Sequence, residues 1–264
     1  MPSTTPYSPY NEGREGYTQI AKFGVTKFAK DLRNLEQKNL IIIPLNSRPD
    51  VSLIKLIENL LERGAIVIFL DEEGYSNDIM EYFGIKIVVE NTKILDEVSK
   101  TRSREYPLVN LEIEGTLFKL AAYKPSHIIV DEKNCNTIIK SSRYAYADID
   151  RNGYFSIGES MDEYVVGCSW RKGNGYLWII SDLDLFSNDL IVMEDNAEFI
   201  KRLASSGKVY LVIDYLNLGT IDILKYLFNN FVLEVAIWNK VSIALLIYLI
   251  ILVMSMMMKY VERH

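Results

Sequence analysis

Apolar residues arrive in short dense runs separated by polar, glycine-bearing breaks, and the runs differ in kind along the chain. Leu40–Leu45 (LIIIPL), Ala65–Leu70 (AIVIFL), Ile85–Val89 and Lys208–Asp214 (KVYLVID) are near-continuous apolar stretches of strand length, the pattern of strands buried on both faces. Between the first two, residues 49–63 are amphipathic at helical spacing and stop at Gly64, a residue suited to the left-handed position that ends helices. Ser76–Phe83 repeats this on a smaller scale before Gly84, and Asp195–Ser206 before Gly207. Tyr17–Glu36 also predicts a helix, because Ile20, Phe23, Val25, Phe28, Leu32 and Leu35 keep roughly a 3–4 spacing. Strands alternating with helices at this pitch predict an α/β fold with parallel strands joined by crossovers.

From Thr92 the pattern changes. Lys93–Glu105 is polar and charged and predicts a surface segment. Leu108–Ile113, Leu117–Leu120, His127–Val130 and Thr137–Lys140 predict shorter strands with turns between them, an antiparallel insertion over 93–140. Tyr164–Trp170 and Tyr176–Ser181 predict a hairpin turning at Arg171–Gly175. In front of this domain, over 17–220, stands a turn-rich leader, Met1–Gly16, with three prolines and two glycines.

The far end of the chain departs from both patterns. Residues 221–240 predict an apolar connecting helix. Val241–Met258 then runs for 18 uncharged residues, bracketed by Lys240 and Lys259, with Trp238 and Tyr260 at interface depth. At 1.5 Å per residue such a helix reaches roughly 27 Å, enough for a bilayer core. The expectation is a transmembrane helix that tethers the domain to a lipid bilayer, followed by a short tail, 259–264.

Composition narrows the class. A net charge of −6 argues against nucleic acid as a partner, which needs a basic surface. Two histidines, His127 and His264, leave no material for a multi-histidine metal centre. Two cysteines, Cys135 and Cys168, match no zinc spacing and leave one bridge or two free thiols equally open; Cys168, inside a strand, is expected to be an inert packed thiol. No Gly-x-Ser-x-Gly elbow, P-loop or His-Glu-x-x-His helix occurs. His127 opens an apolar strand, where a structural role is expected.

Two stretches carry candidate chemistry. Asp148-Ile-Asp150-Arg-Asn152-Gly153-Tyr154-Phe-Ser156-Ile-Gly-Glu159 fits the twelve-residue calcium-loop pattern at every specified position. Asp148, Asp150 and Asn152 alternate towards one centre, and Gly153 permits the sharp turn. Tyr154 offers a carbonyl, Ser156 can hold a water and Glu159 can bind bidentately. The flanks are not helical, so the expectation is a lone calcium loop between strands; a plain acidic turn is the competing account. A lone loop binds weakly, which suits the high calcium outside cells. The second stretch is Gly173–Asn196 (GNGYLWIISDLDLFSNDLIVMEDN). Its strand gives way to Ser181, Asp182, Asp184 and Asn188, then to Asp195-Asn196 opening a helix. Strand, polar loop and helix place side chains at the carboxyl edge of a sheet. Asp182, Asp184, Asn188 and Asn196 are therefore candidate ligand-binding residues. Tyr10 and Asn11 join them if the leader folds over that edge. Loop and helix capping is the competing account.

Several motifs in combination resemble the DUF4350 family of mostly membrane-anchored proteins, common in archaea. They are Ser8-Pro9-Tyr10-Asn11-Glu12-Gly13, Ser141-Ser142-Arg143-Tyr144 leading into the Asp148–Glu159 loop, Gly173-Asn-Gly175, Ser181-Asp182-Leu183-Asp184-Leu185-Phe186-Ser187-Asn188, and Asp195-Asn196. The resemblance covers roughly Pro6 to Asp214. It implies a Rossmann-like or flavodoxin-like, mostly parallel sheet, similar to GldG-like and class I glutamine amidotransferase-like domains. It implies no established activity. No cysteine follows the 65–70 strand, where Asp71-Glu72-Glu73 stands, and no histidine pair exists, so amidotransferase catalysis is not expected and no catalytic residue is assigned. The expected function is a membrane-tethered, non-enzymatic module binding a small ligand or protein. The alternatives are a metal-assisted hydrolase using Asp182 and Asp184, and an auxiliary subunit of a membrane transport complex. Sidedness is contested. Lys259 and Arg263, the absence of a signal-peptide core in the leader and the absence of glycosylation sequons point inward. The calcium loop, and the membrane span that family members often carry ahead of the domain, point outward, and the balance tilts outward.

Overall fold

A computed structural model describes residues 3–229 apart from 24, 30–38, 132, 134 and 206; the expected span at 241–258 and the tail at 259–264 lie outside the described residues. No helix among the described residues is long and apolar enough to cross a membrane. The chain divides into two compact units, Met1–Leu218 and Gly219–His264. In the second, residues 220–229 form a helix, and the Asp222 carboxylate accepts from the Gly219 N–H at 3.2 Å.

The first unit is mixed α/β. Five strands pair in parallel in the order β1 (Val25–Ala29), β12 (Val209–Val212), β2 (Leu40–Pro44), β3 (Ile66–Leu70) and β11 (Gly175–Ile180). The sheet then continues antiparallel through β10 (Val165–Lys172), β8 (Thr137–Lys140), β5 (Leu108–Ile113) and β6 (Thr116–Ala121). A second, antiparallel sheet holds β7 (Ser126–Val130), β4 (Ile87–Asp96) and β9 (Ala145–Asp148). The segments expected to form an insertion are thus divided between the sheets: β5, β6 and β8 extend the main one, whereas β7 joins the other.

The parallel strands read as continuous apolar runs because both their faces are covered; every residue of β2 is buried. Helix α1 (Val51–Glu62) begins where the Asp50 carboxylate accepts from the Leu53 N–H at 2.9 Å, and it buries Leu53, Ile54, Ile57, Leu60 and Leu61. The predicted hairpin is β10–β11. Gly173 at its turn has φ +58°, and at Gly175 a Cβ would collide with the Ala65 and Leu61 carbonyls. Helix α2 (Asn77–Tyr82) and helix α3 (Asn196–Ala204) occupy their expected places.

Three expectations are corrected. Residues 17–36 do not open as one helix: Gln19–Phe23 is a short 3-10 turn and Val25–Ala29 is an edge strand that extends the parallel set beside β12. Ile20 of the turn and Val25 of the strand are both buried, so apolar positions there serve two elements and not one helix face; Leu32 and Leu35 lie outside the described residues. Ile85–Val89 is not a further parallel strand. It opens β4, where Ile87 and Val89 are buried but Val88 is 46% exposed; an apolar residue on the outer face disguised the alternation. Lys93–Asp96 is not a surface segment either, since it completes β4 with Ile94, Leu95 and Asp96 buried.

Candidate functional site: a buried carboxylate cluster and an acidic loop

Ile180 and Leu70 are register partners, so β11 and β3 release their following residues side by side at the carboxyl edge. From β3 come Asp71 and Glu72, and from β11 come Ser181, Asp182 and Asp184. Asp71 is fully buried. One of its oxygens accepts from the N–H groups of Glu73, Gly74 and Tyr75 at 2.9–3.1 Å, the other from Ser76 at 2.6 Å. This nest fixes the turn that presents Glu72. Ser181 donates to the Ser126 carbonyl and to the Val166 carbonyl, tying the two sheets together.

Carboxylate oxygens of Glu72, Asp182 and Asp184 lie within 4.8 Å of one another. Asp182 is buried with both oxygens engaged, accepting from the Tyr123 N–H at 2.9 Å and the Asp184 N–H at 2.8 Å. Asp184 accepts from the Tyr7 hydroxyl at 3.3 Å. Lys93 stands 3.9 Å from Glu72 and 3.5 Å from Glu73. Three acids sharing a largely buried site cannot all ionise cheaply. Burial, then the neighbouring Asp184, holds the Asp182 carboxyl well above the usual range. Burial, then Glu72, pushes Asp184 up to about 7. Burial raises Glu72 as well, against the pull of Lys93. Burial and the nearby Asp184 also keep the Tyr7 phenol protonated. A cavity of about 220 Å³ opens onto Asp184, with Tyr7, Arg14, Tyr123 and Asp189 among its walls.

The leader does fold over this edge, and Asn188 is the clamp. Its amide donates to the carbonyls of Asn11 (3.0 Å) and Gly13 (2.7 Å), and its Oδ1 accepts from the Gln19 N–H at 2.8 Å. Asn11 is turned inward on the leader itself, bonded to the Thr5 carbonyl and the Gly13 N–H. The Tyr10 N–H is held by Ser8 Oγ at 3.1 Å. Asn196 is a brace between elements: Oδ1 accepts from Ala121 N–H, and the amide donates to the Ala121 and Leu185 carbonyls, all at 2.9 Å. Of the six predicted ligand-binding residues, Asp182, Asn188, Asn11 and Asn196 are thus occupied by backbone, and Asp184 faces the cavity. Glu72 and Tyr7 were missed. Asp71-Glu72-Glu73 at the end of a strand was a visible signal, but nothing local told that β3 neighbours β11.

The Asp148–Glu159 loop follows β9. Asp148 accepts from the Gly153 N–H at 3.1 Å, Asp150 from Asn152 N–H at 3.1 Å, and Asn152 from Tyr154 N–H at 2.6 Å. Glu159 closes the loop, its oxygens accepting from Ile149 and Ser156 N–H at 2.9 Å each. Asp148, Asp150 and Glu159 bring carboxylate oxygens within 4.8 Å of one another. Gly153 has φ +76°, as the pattern requires. Ser142, from the Ser-Ser-Arg-Tyr stretch ahead of the loop, donates to the buried Asp96 carboxylate at 2.5 Å.

Cys168 is not a free packed thiol: it forms a disulfide with Cys135 at a Cα separation of 5.7 Å, joining β10 to the approach of β8. His127 meets Glu90 at 3.2 Å and packs edge-on against Tyr164, an arrangement that holds β7 to its neighbours.

No family model matches this sequence, and no curated protein matches it. Among solved structures, the mmIFT52 N-terminal domain aligns over 64% of this chain and 78% of its own, at TM-score 0.48 and 12% identity. The β-galactosidase from Bacillus circulans sp. alkalophilus aligns at TM-score 0.38 and 11% identity, over 64% of this chain and 22% of that one. The exo-β-1,4-mannosidase Op5Man5 from Opitutaceae bacterium strain TAV5 aligns at TM-score 0.33 and 9% identity, over 62% and 24%. The chain spans about a quarter of these glycosidases, and likenesses of this strength carry no functional argument.

Proposed function

We propose that the chain is a membrane-tethered, non-catalytic α/β binding module of the DUF4350 kind, with a Rossmann-like core and calcium bracing its Asp148–Glu159 loop. One observation carries it: the acidic loop is already closed around its own backbone N–H groups, with three carboxylates converging. Such convergence is repulsive without a cation and favourable with one. The Cys135–Cys168 disulfide supports an oxidising, outward location, where calcium is abundant. Backbone bonding by Asp182, Asn188 and Asn196 supports binding over catalysis, since occupied groups position a loop and do not turn over substrate. Anchoring to a bilayer through 241–258 and an unidentified small-molecule or membrane-protein partner complete the proposal.

Calcium titration of the full chain, followed by melting temperature, tests it. A lone loop is expected to respond near millimolar calcium, adding about 1.4 kcal/mol at ten times Kd. The Asp148→Ala/Glu159→Gln variant should lose that gain. An equal gain in the variant, or none in the parent, removes calcium from the proposal.

A metal-assisted hydrolase is the second reading, and one observation favours it. Glu72 joins Asp182 and Asp184, and Asp184, raised to about 7, faces the 220 Å³ cavity. In that case Glu72 and Asp184 are the groups to hold a divalent ion. The comparison of Asp184→Asn with the loop variant, described below, separates the two.

A further inference from the structure

A second cavity lies at the opposite end of the parallel strands. It measures about 690 Å³ and is bounded by the sheet, the end of the β5–β6 hairpin and the last turn of α3. Tyr176, at its floor, is the register partner of Ile66 at the first residue of β3. The carboxylate cluster follows Ile180 at the other end of the same strand, roughly 13 Å away at the usual rise per residue. The two sites are therefore separate.

The floor is aromatic. Tyr176 and Trp178 are two residues apart on β11, so both present to one face of the sheet; Trp178 also packs against Phe199 of α3 at 6.4 Å between ring centres. Ile113 and Leu203 form apolar walls. The charged groups Arg202 and Glu114 on the rim pair with each other. Glu112 also lines the cavity, but it alternates with Leu111 and Ile113 along β5, so its side chain departs towards the opposite face.

Ser169 makes this cavity more than a dent. It is the register partner of Trp178, shares its face, and lines the cavity while only 1% exposed. Its hydroxyl is one of three described buried side-chain groups without a hydrogen-bond partner. A buried hydroxyl in that condition is unfavourable, and native proteins seldom keep one without use. Rotation about χ1, between staggered positions, is the small motion that turns it to a guest.

We propose that this cavity binds a neutral ring compound carrying a hydroxyl group. The ring's face stacks on Tyr176 and Trp178, and its hydroxyl exchanges a hydrogen bond with Ser169, which can donate and accept. A neutral guest fits because Arg202 and Glu114 neutralise each other. Phenols, cyclic alcohols and sugars share this chemistry.

Phenol, cyclohexanol and methyl β-glucoside distinguish these three sources. The full chain, in lipid nanodiscs with fluorinated tryptophan, is titrated with each, and the Trp178 resonance is identified through Trp178→Phe. At least one probe is expected to move Trp178 saturably at millimolar concentration. Trp170, on the other face of the sheet against Phe83, should stay still. Ser169→Ala should weaken binding roughly tenfold, the loss of one hydrogen bond, without lowering the melting temperature of the free protein. Ser205→Trp at the mouth should abolish binding while leaving the hydroxyl in place. The proposal is overturned if no probe moves Trp178 saturably, if Trp170 moves equally, or if Ser169→Ala binds as tightly as the parent.

Discussion

Two clusters in this molecule have the same formula and opposite physics. Glu72, Asp182 and Asp184 converge within 4.8 Å, and so do Asp148, Asp150 and Glu159. The first set comes from strands whose ends lie about a hundred residues apart in the chain and is largely buried under the leader. The second comes from twelve consecutive residues, with Asp150 and Glu159 reaching water. In the buried set, desolvation governs: burial raises all three acids, and the Tyr7 hydroxyl, Lys93 and the N–H groups of Tyr123 and Asp184 are polar groups beside them. In the loop, backbone N–H groups already satisfy the carboxylates, and water or a cation can enter. Convergence of acids therefore does not by itself mean a metal site; the dielectric around them decides whether a proton or a cation is the cheaper neutraliser.

The largest test of this contrast removes the foundation of the buried set. Asp71→Ala leaves four turn N–H groups without their carboxylate, and is expected to destabilise by about 3–5 kcal/mol in urea unfolding. Asp150→Ala, in the open loop, should cost well under a third of that. Comparable losses would mean that the two environments do not differ as described.

Next comes pH. Asp184 has a folded pKa of about 7 against an ordinary 3.8, and Asp182 is raised too. The folded state then holds more protons than the unfolded state between about pH 4 and 7. Stability must fall as pH rises through that window, and the raised Asp182 adds to the fall. Asp184 alone contributes a fall on the order of 4 kcal/mol, and Asp184→Asn should remove that part. A rise in stability over the same window would show the cluster to be ionised and paired.

Calcium sharpens the comparison at smaller scale. Asp184→Asn should leave the calcium-dependent gain of about 1.4 kcal/mol at ten times Kd intact, whereas Asp148→Ala/Glu159→Gln abolishes it. The reverse pattern, in calcium or manganese, would transfer the metal to the buried cluster and favour the hydrolase reading. Smallest of all is the surface link between Arg102 and Asp189, which ties the 97–106 loop to the clamp region. Arg102→Gln should cost no more than about 1 kcal/mol, checked by the same unfolding measurement.

Much of the frame was legible in the chain. The buried runs at 40–45, 65–70 and 208–214 became β2, β3 and β12, and the hairpin at 173–175 turned where its glycines said. The acidic loop was readable because its carboxylates and its glycine are close in sequence, so local spacing carries its whole geometry. Failures occurred where periodicity has two sources. In 17–36 a helical spacing concealed a turn and an edge strand, and in β4 the exposed Val88 looked like burial.

The candidate site divides along the same line. Sequence alone determined that Asp182, Asp184 and Asn188 follow a buried strand, and that Asp148, Asp150 and Glu159 share one short loop with a sharp turn at Gly153, because both are facts of local order. Only tertiary structure decided that β3 lies beside β11 and so brings Glu72 to the two aspartates. It also decided that Tyr7 reaches them from the leader, that Asn188 and Asn196 serve the backbone, that Cys135 meets Cys168, and that Ser169 is left unpaired beneath an aromatic floor. Pairing across a hundred residues is set by the packing of whole sheets, and no short window of sequence contains it.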